Sequence, residues 1–182
     1  AKPMYAAPGD SFYYRDCDPQ LVSSAIERVT GQRLEEIAFD NIFVPLGITD
    51  YFWEPNSEGT TLGPVGLFLK PRDLAKIGKL VSQNGEWEGQ QIISQDWISL
   101  STTSQTEIPG SEGFHYGFYW WVVPEVNGFT AWGHGGQSIF ILPQYDIVIV
   151  MTSMPSTNDD NVGTTLSEFL PIVEKIIESV IQ

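Results

Sequence analysis

The stretch "GHGGQSIFILPQYDIVIVMTS", Gly133 to Ser153, decides how the rest of this sequence is read. It joins two unlike signals. Three glycines enclose one histidine, a composition that lets another group approach the backbone closely. The Ile-, Val- and Phe-rich run behind them has the pattern of two buried strands, with "LPQYD" as a short hairpin connection between them. A loose turn would account for the glycines but not for strands starting directly after them.

Working outward from this stretch, "YGFYWWVV" (116–123) and "FTAW" (129–132) add two more aromatic and β-branched runs, separated by Pro, Asn and Gly. Together they predict an antiparallel meander. The residues before it carry helical periods. In 18–30, Asp18 reads as the N-cap and Pro19 as the first helical position, Leu21, Val22, Ala25, Ile26 and Val29 line one face to be buried, and Gly31 is the stop. Leu34, Ile37, Ala38 and Ile42 continue on a second helix, ended by Pro45 and Gly47. Residues 50–66 read as loop. A third helix follows over "KPRDLAKIGKLVSQNGEWEG", with Leu74, Ile77, Leu80 and Val81 inward and Asn84-Gly85 as its end, and a short fourth has Ser94 as N-cap. An amphipathic helix over 164–182, with Pro171 as a kink or restart, closes the chain. The fold class predicted is α+β, an antiparallel sheet packed with helices.

Bulk properties narrow the function. The 182 residues (20.3 kDa) are 42% apolar and 13% aromatic, enough for one globular domain or most of one. A formal charge of −14 and a pI near 4.2 exclude nucleic acid and anionic membrane as partners. Cys17 is the single cysteine, so there is no internal disulfide and no cysteine-based zinc cluster. The longest apolar run, "IVIVM" (147–151), has strand length, and "AKPMYAAPGD" lacks the apolar core of a signal peptide. A start that leads at once into "PGDSFYY" reads as the middle of a longer protein.

Two short stretches carry candidate chemistry. In "FYYRDCD" (12–18), Tyr14 and Asp16 stand just ahead of a helix. A phenol titrates near ~10 and needs a neighbouring cation to act as a base at neutral pH. Arg15 on an extended segment would point away from Tyr14. The plainer alternative makes Asp18 a cap and both tyrosines packing aromatics. In "GHGGQ", the amide after Gly136 can donate to an oxyanion, and the plainer alternative is a turn histidine with no role. No His-Glu-x-x-His pattern occurs and His115 is distant in sequence, so neither a metal nor another cofactor is implied. A Cys17–His134 pair lacks a helix terminus or basic cluster to activate the thiol, which favours a buried structural cysteine. "GGQSIF" lacks the last glycine and the helix of a nucleophile elbow.

Taken together, the two stretches resemble the serine β-lactamase-like and penicillin-binding-protein-like hydrolases, in the branch of class C β-lactamases, D-aminopeptidases, esterases and 6-aminohexanoate-dimer hydrolases. "PGDSFYYRDCDPQLVSSAIERVTGQRLEEIAFDNIFVPLGI" is similar to that group's Pro-Gly-x-x-Phe-x-Tyr-Ser-Asn segment and the helix after it. "VGLFLKPRDLAKIGKLVSQNGEW" is similar to the helix that follows its active-site loop, and "YGFYWWV" with the opening stretch is similar to its last strands. The resemblance implies a β-lactamase/transpeptidase-like fold. It puts Tyr14 on the catalytic tyrosine, Asp16 on an asparagine that bonds substrate and lysine, and His134, Gly135 and Gly136 on the Lys/His-Thr-Gly strand. The amide of Gln137 falls on the second oxyanion donor. It further implies an acyl-enzyme, a small-molecule or peptide substrate docked on an edge strand, no membrane insertion, and a bacterial periplasmic or secreted setting.

The family's Ser-x-x-Lys nucleophile motif is absent. Three residues before Lys70, Lys76, Lys79 and Lys175 stand Leu67, Asp73, Lys76 and Ile172. Residues 1–182 therefore read as the C-terminal portion of a single hydrolase domain, incomplete at its N-terminus. The alternative is a catalytically inactive relative that binds peptide or cell-wall fragments. Truncation implies an open sheet edge or apolar face over 116–152, filled by a second copy or left as a large patch, with the missing N-terminal segment of the same protein as the chain's partner. Asp16 would hold the family's lysine in its charged form, and His134 replaces a permanent cation, which shifts the expectation from β-lactams to esters, amides or peptides. All of this requires Tyr14 and His134 to share one cleft.

Overall fold

The computed structural model describes residues 6–7, 9–111, 113–153 and 165–181. The chain divides into two compact units, Ala1–Leu69 and Lys70–Gln182.

In the first unit, α1 (Cys17–Thr30) ends at Gly31, whose φ of 73° is the left-handed stop expected of glycine. The helix begins earlier than the sequence implied. Asp16, not Asp18, is the N-cap residue, and it makes no side-chain capping bond. Pro19 becomes the third helical residue, which is tolerated because first-turn N–H groups have no helical acceptor. The predicted buried face is largely uncovered: Leu21, Val22 and Val29 are 68%, 45% and 86% exposed, and Ser23 is the helix's buried residue.

What holds α1 in place is polar. The Ser23 hydroxyl donates to the Thr61 carbonyl at 2.7 Å, and Gln20 bonds Thr61 and Gly63. Glu27 accepts from the backbone N–H groups of Leu34 and Thr61 at 3.1 and 3.0 Å. Gly63 is needed for this approach, because a Cβ there would lie 2.3 Å from the Pro19 carbonyl oxygen. The short helix α2 (Leu34–Ala38) runs on into a wide π-helical turn over Phe39–Phe43. Phe43, Leu46 and Ile48 are buried, and Tyr51 packs edge-on against Phe43 with ring centres 4.9 Å apart. Residues 50–66 are not all loop. β1 (Tyr51–Trp53) pairs antiparallel with β2 (Leu67–Leu69), and an isolated antiparallel bridge joins Pro55 to Thr61.

The second unit is built on a six-stranded antiparallel sheet in the order β10-β9-β8-β7-β6-β5. Its strands are β5 (Thr106–Glu107), β6 (His115–Tyr116), β7 (Trp121–Val123), β8 (Gly128–Gly133), β9 (Gln137–Leu142) and β10 (Ile147–Met151). Both faces are covered. On one, Phe140, Leu142 and Val123 pack with Leu166, Phe169, Leu170, Val173 and Ile177 of α5 (Leu166–Val180). On the other, Ile139, Ile141 and Phe129 pack with Val81 of α3 (Pro71–Ser82) and Ile98 of α4 (Gln95–Thr102), with Leu74 and Ile77 at the margin. The α3 face is the one its spacing predicts, and Ser94 caps α4 by accepting from the Trp97 N–H. Gly78 lets α3 lie directly on the sheet, since a Cβ there would meet Val148 and Ile139 at 2.4 and 2.7 Å. A two-stranded ribbon, β3 (Glu86–Trp87) with β4 (Gln90–Gln91), follows α3.

Helix α5 passes through Pro171 without a break in its assignment, and a reciprocal Thr165–Glu168 capping box starts it. Those bonds, first the one from the Thr165 N–H, hold the Glu168 carboxyl below its ordinary value. Among the described residues β10 and β5 end the sheet, and helices pack on both faces of its centre.

Candidate active site

The sequence-predicted residues fall into two groups, one in each unit. In the first, Tyr14 and Asp16 lie on the segment that enters α1, and Asp16 is the residue at the helix start. Tyr14 is 53% exposed. Its phenol nevertheless titrates above the ordinary tyrosine value, first because part of it is desolvated and second because the Asp16 charge disfavours a phenolate. Arg15 is engaged by Asp18 at 3.5 Å, and its guanidinium lies 5.7 Å from the Tyr13 ring centre.

Cys17 departs from the buried thiol expected. It is exposed, occupies the first helical position, and lies 3.6 Å from the Asp18 carboxylate. An early helix start moves it out of the packed segment.

In the second unit, β8 ends at Gly133, and His134–Gly136 make a tight turn into β9. Gly135 (φ 76°, ψ 9°) and Gly136 (φ 83°) are both left-handed, so side chains there would be strained, and both are buried. His134 stays exposed at the tip. The strand that follows is not an edge. β9 lies between β8 and β10, a correction that follows from β10 returning antiparallel beside it. The open edge belongs to the strand before the turn. β7 pairs with β8 only as far as Trp121 opposite Thr130, and beyond that Ala131, Trp132 and Gly133 are paired to β9 alone among the described strands.

Gln137 opens β9 opposite Gly133, and its side chain turns to the end of β10. Its Oε1 accepts from the Ser153 N–H at 3.2 Å, its Nε2 donates to the Ser153 carbonyl, and the Ser153 hydroxyl donates to the Gly135 carbonyl. Sequence reasoning missed Ser153. The signal available was a polar residue at the end of each of two otherwise apolar strands. Elsewhere, His115 Nδ1 lies 2.7 Å from the Ser104 hydroxyl in the β5–β6 region. Among the described residues no group of three or more His, Cys, Asp or Glu stands together as a metal site.

The sequence pattern that defines the Beta-lactamase family matches residues 1–167. The chain belongs to this family. It is 27% identical over 152 residues to the 6-aminohexanoate-dimer hydrolase of Paenarthrobacter ureafaciens, covering 78% of this beta-lactamase-family chain and 39% of that protein. In structure it matches a Bacillus anthracis protein described as a putative 6-aminohexanoate-dimer hydrolase, at 25% identity and a TM-score of 0.79, over 97% of this chain and 47% of that one. The octameric penicillin-binding protein homologue from Pyrococcus abyssi matches at 22% identity and a TM-score of 0.60, over 76% and 37%, a likeness of fold. The chain thus spans about half or less of the length of these relatives. Among the described residues no helix is long and apolar enough to cross a membrane.

Proposed function

We propose that this chain is the C-terminal portion of a serine hydrolase of esters, amides or peptides that works through an acyl-enzyme, with its nucleophile in a segment outside these residues. The observation that carries the reading is the open stretch Ala131–Gly133, running straight into the left-handed Gly135–Gly136 turn and the Gln137 amide. Backbone groups on an open strand suit an extended acyl group, and amides at the following turn suit the oxyanion that forms beside it. A serine oxygen attacks the acyl carbon and its proton passes to Tyr14, which returns one to the leaving group. Water then releases the acyl group. Tyr14 cannot begin this unaided, because desolvation and Asp16 hold its proton on. A cation from the rest of the protein must lower it, and the family's lysine has that role. The histidine at 134 in place of a permanent cation supports a substrate without an obligatory carboxylate.

Tyr14→Phe in the full-length hydrolase is expected to lower ester turnover at least ~100-fold, and unchanged turnover would refute the assignment. The purified 182-residue chain is expected not to hydrolyse chromogenic esters. A second reading is an inactive relative that binds peptide or cell-wall fragments on the same strand. The coding sequence upstream separates the two: a Ser-x-x-Lys supports the enzyme, and its absence supports the binder.

A further inference from the structure

We propose that Ser153 is a positioning residue for the His134–Gln137 turn, fixing the direction of the backbone donors that stabilise the oxyanion; the inference rests on the hydrolase reading above. β10 pairs with β9 as far as Met151 opposite Ser138. Continuing that register sets Ser153 against Gly136, where the ladder gives way to two left-handed glycines. Glycines resist rotation least, and rotating a peptide plane swings its C=O and the following N–H together to opposite sides.

Ser153 restrains that rotation on the N-terminal side of Gly136 and ties down the Gln137 side chain on the other. Its hydroxyl holds the Gly135 carbonyl, which sets the Gly135–Gly136 plane and the direction of the Gly136 N–H. Its own N–H and C=O are both taken by the Gln137 side-chain amide, which closes the end of the sheet with the two bonds a paired backbone would otherwise make. The Gln137 side chain is thereby committed to the scaffold, and the backbone of the turn is left to meet substrate. Preorganised donors are effective because they need no rearrangement as charge develops.

The test uses Ser153→Ala and Ser153→Thr. In the 182-residue chain, amide exchange at Gly136 and Gln137, read by NMR, is expected to quicken about 5-fold in Ser153→Ala, the scale of one lost hydrogen bond, and to return towards wild type in Ser153→Thr, which keeps the hydroxyl. In the full-length hydrolase, Ser153→Ala is expected to lower kcat about tenfold with KM within about twofold, as slight misplacement of catalytic groups does, and Ser153→Thr to recover most of it. Unchanged exchange overturns the clamp. Faster exchange with unchanged kcat, while Tyr14→Phe still loses its ~100-fold, overturns the catalytic role. If Tyr14→Phe is also without effect, the hydrolase reading itself fails and the catalytic role falls with it; exchange then judges the clamp alone.

Discussion

Helix α1 of the first unit and strand β9 of the second each carry large apolar side chains, and those side chains have opposite fates. Phe140, Ile141 and Leu142 of β9 are fully buried between α5 on one face and α3 with α4 on the other. Leu21, Val22 and Val29 of α1 lie open among the described residues, and the helix is tied down by Gln20, Ser23 and Glu27 bonding the segment around Thr61. An apolar period therefore states which face of an element is suited to burial. It does not state what is there to bury it.

The sharpest test of this contrast sets Phe140→Ala against Val29→Ala. Truncating a buried phenylalanine typically costs about 3–5 kcal/mol, whereas surface truncations stay within about 0.5 kcal/mol. Urea unfolding of the two variants is expected to show that gap, and a Val29→Ala loss comparable to that of Phe140→Ala would erase the distinction. Glu27→Gln probes the polar side. Burial alone would raise the Glu27 carboxyl, but the bonds from the Thr61 and Leu34 N–H groups and from the Thr60 and Thr61 side chains outweigh it and hold it below the ordinary value. A lowered carboxylate contributes its stability above its unfolded value of ~4.3 and loses it as pH falls through the folded one. Replacing it by Gln is expected to cost about 1.5–3 kcal/mol at pH 7, the range for hydrogen bonds to a charged group. The difference from wild type should shrink in acid titrations, and a gap that persists at low pH would assign it to packing. The smallest effect belongs to Ser138→Ala. The buried Ser138 hydroxyl has no hydrogen-bond partner among the described residues, so its removal is expected to leave stability unchanged or slightly raised. A clear loss would reveal a partner.

Where structure follows local chemistry, the sequence was readable. The inward face of α3, the Ser94 cap, the Gly31 stop and the four strands β7 to β10 all follow from period, capping and turn residues. Elements that depend on distant residues were not. β1 reads as loop because three residues make no period, and it exists through pairing with β2 sixteen residues on. The exposure of Cys17 goes with a helix that starts two residues before the Asp18 cap and Pro19 start that the sequence suggests. Tyr14, His134 and the two glycines were legible as a motif. That the open edge lies on β8 and not on β9, and that Ser153 grips the turn, are facts of strand order and register, which no single stretch carries.

The centre of the sheet is apolar on both sides. Phe140, Leu142, Ile147 and Ile149 face α5, while Ile139, Ile141, Val148 and Val150 face α3. A slip of one residue between β9 and β10 would trade one set for the other without stranding a charge, so alternation by itself cannot say which way up a strand lies. That information sits at the corners. Pro124–Val126 with left-handed Asn127, and Pro143–Tyr145 with left-handed Asp146, are built to one plan and count the residues between strands. Inserting one residue at either corner would invert the strand that follows while setting its apolar side chains against apolar neighbours on the other face.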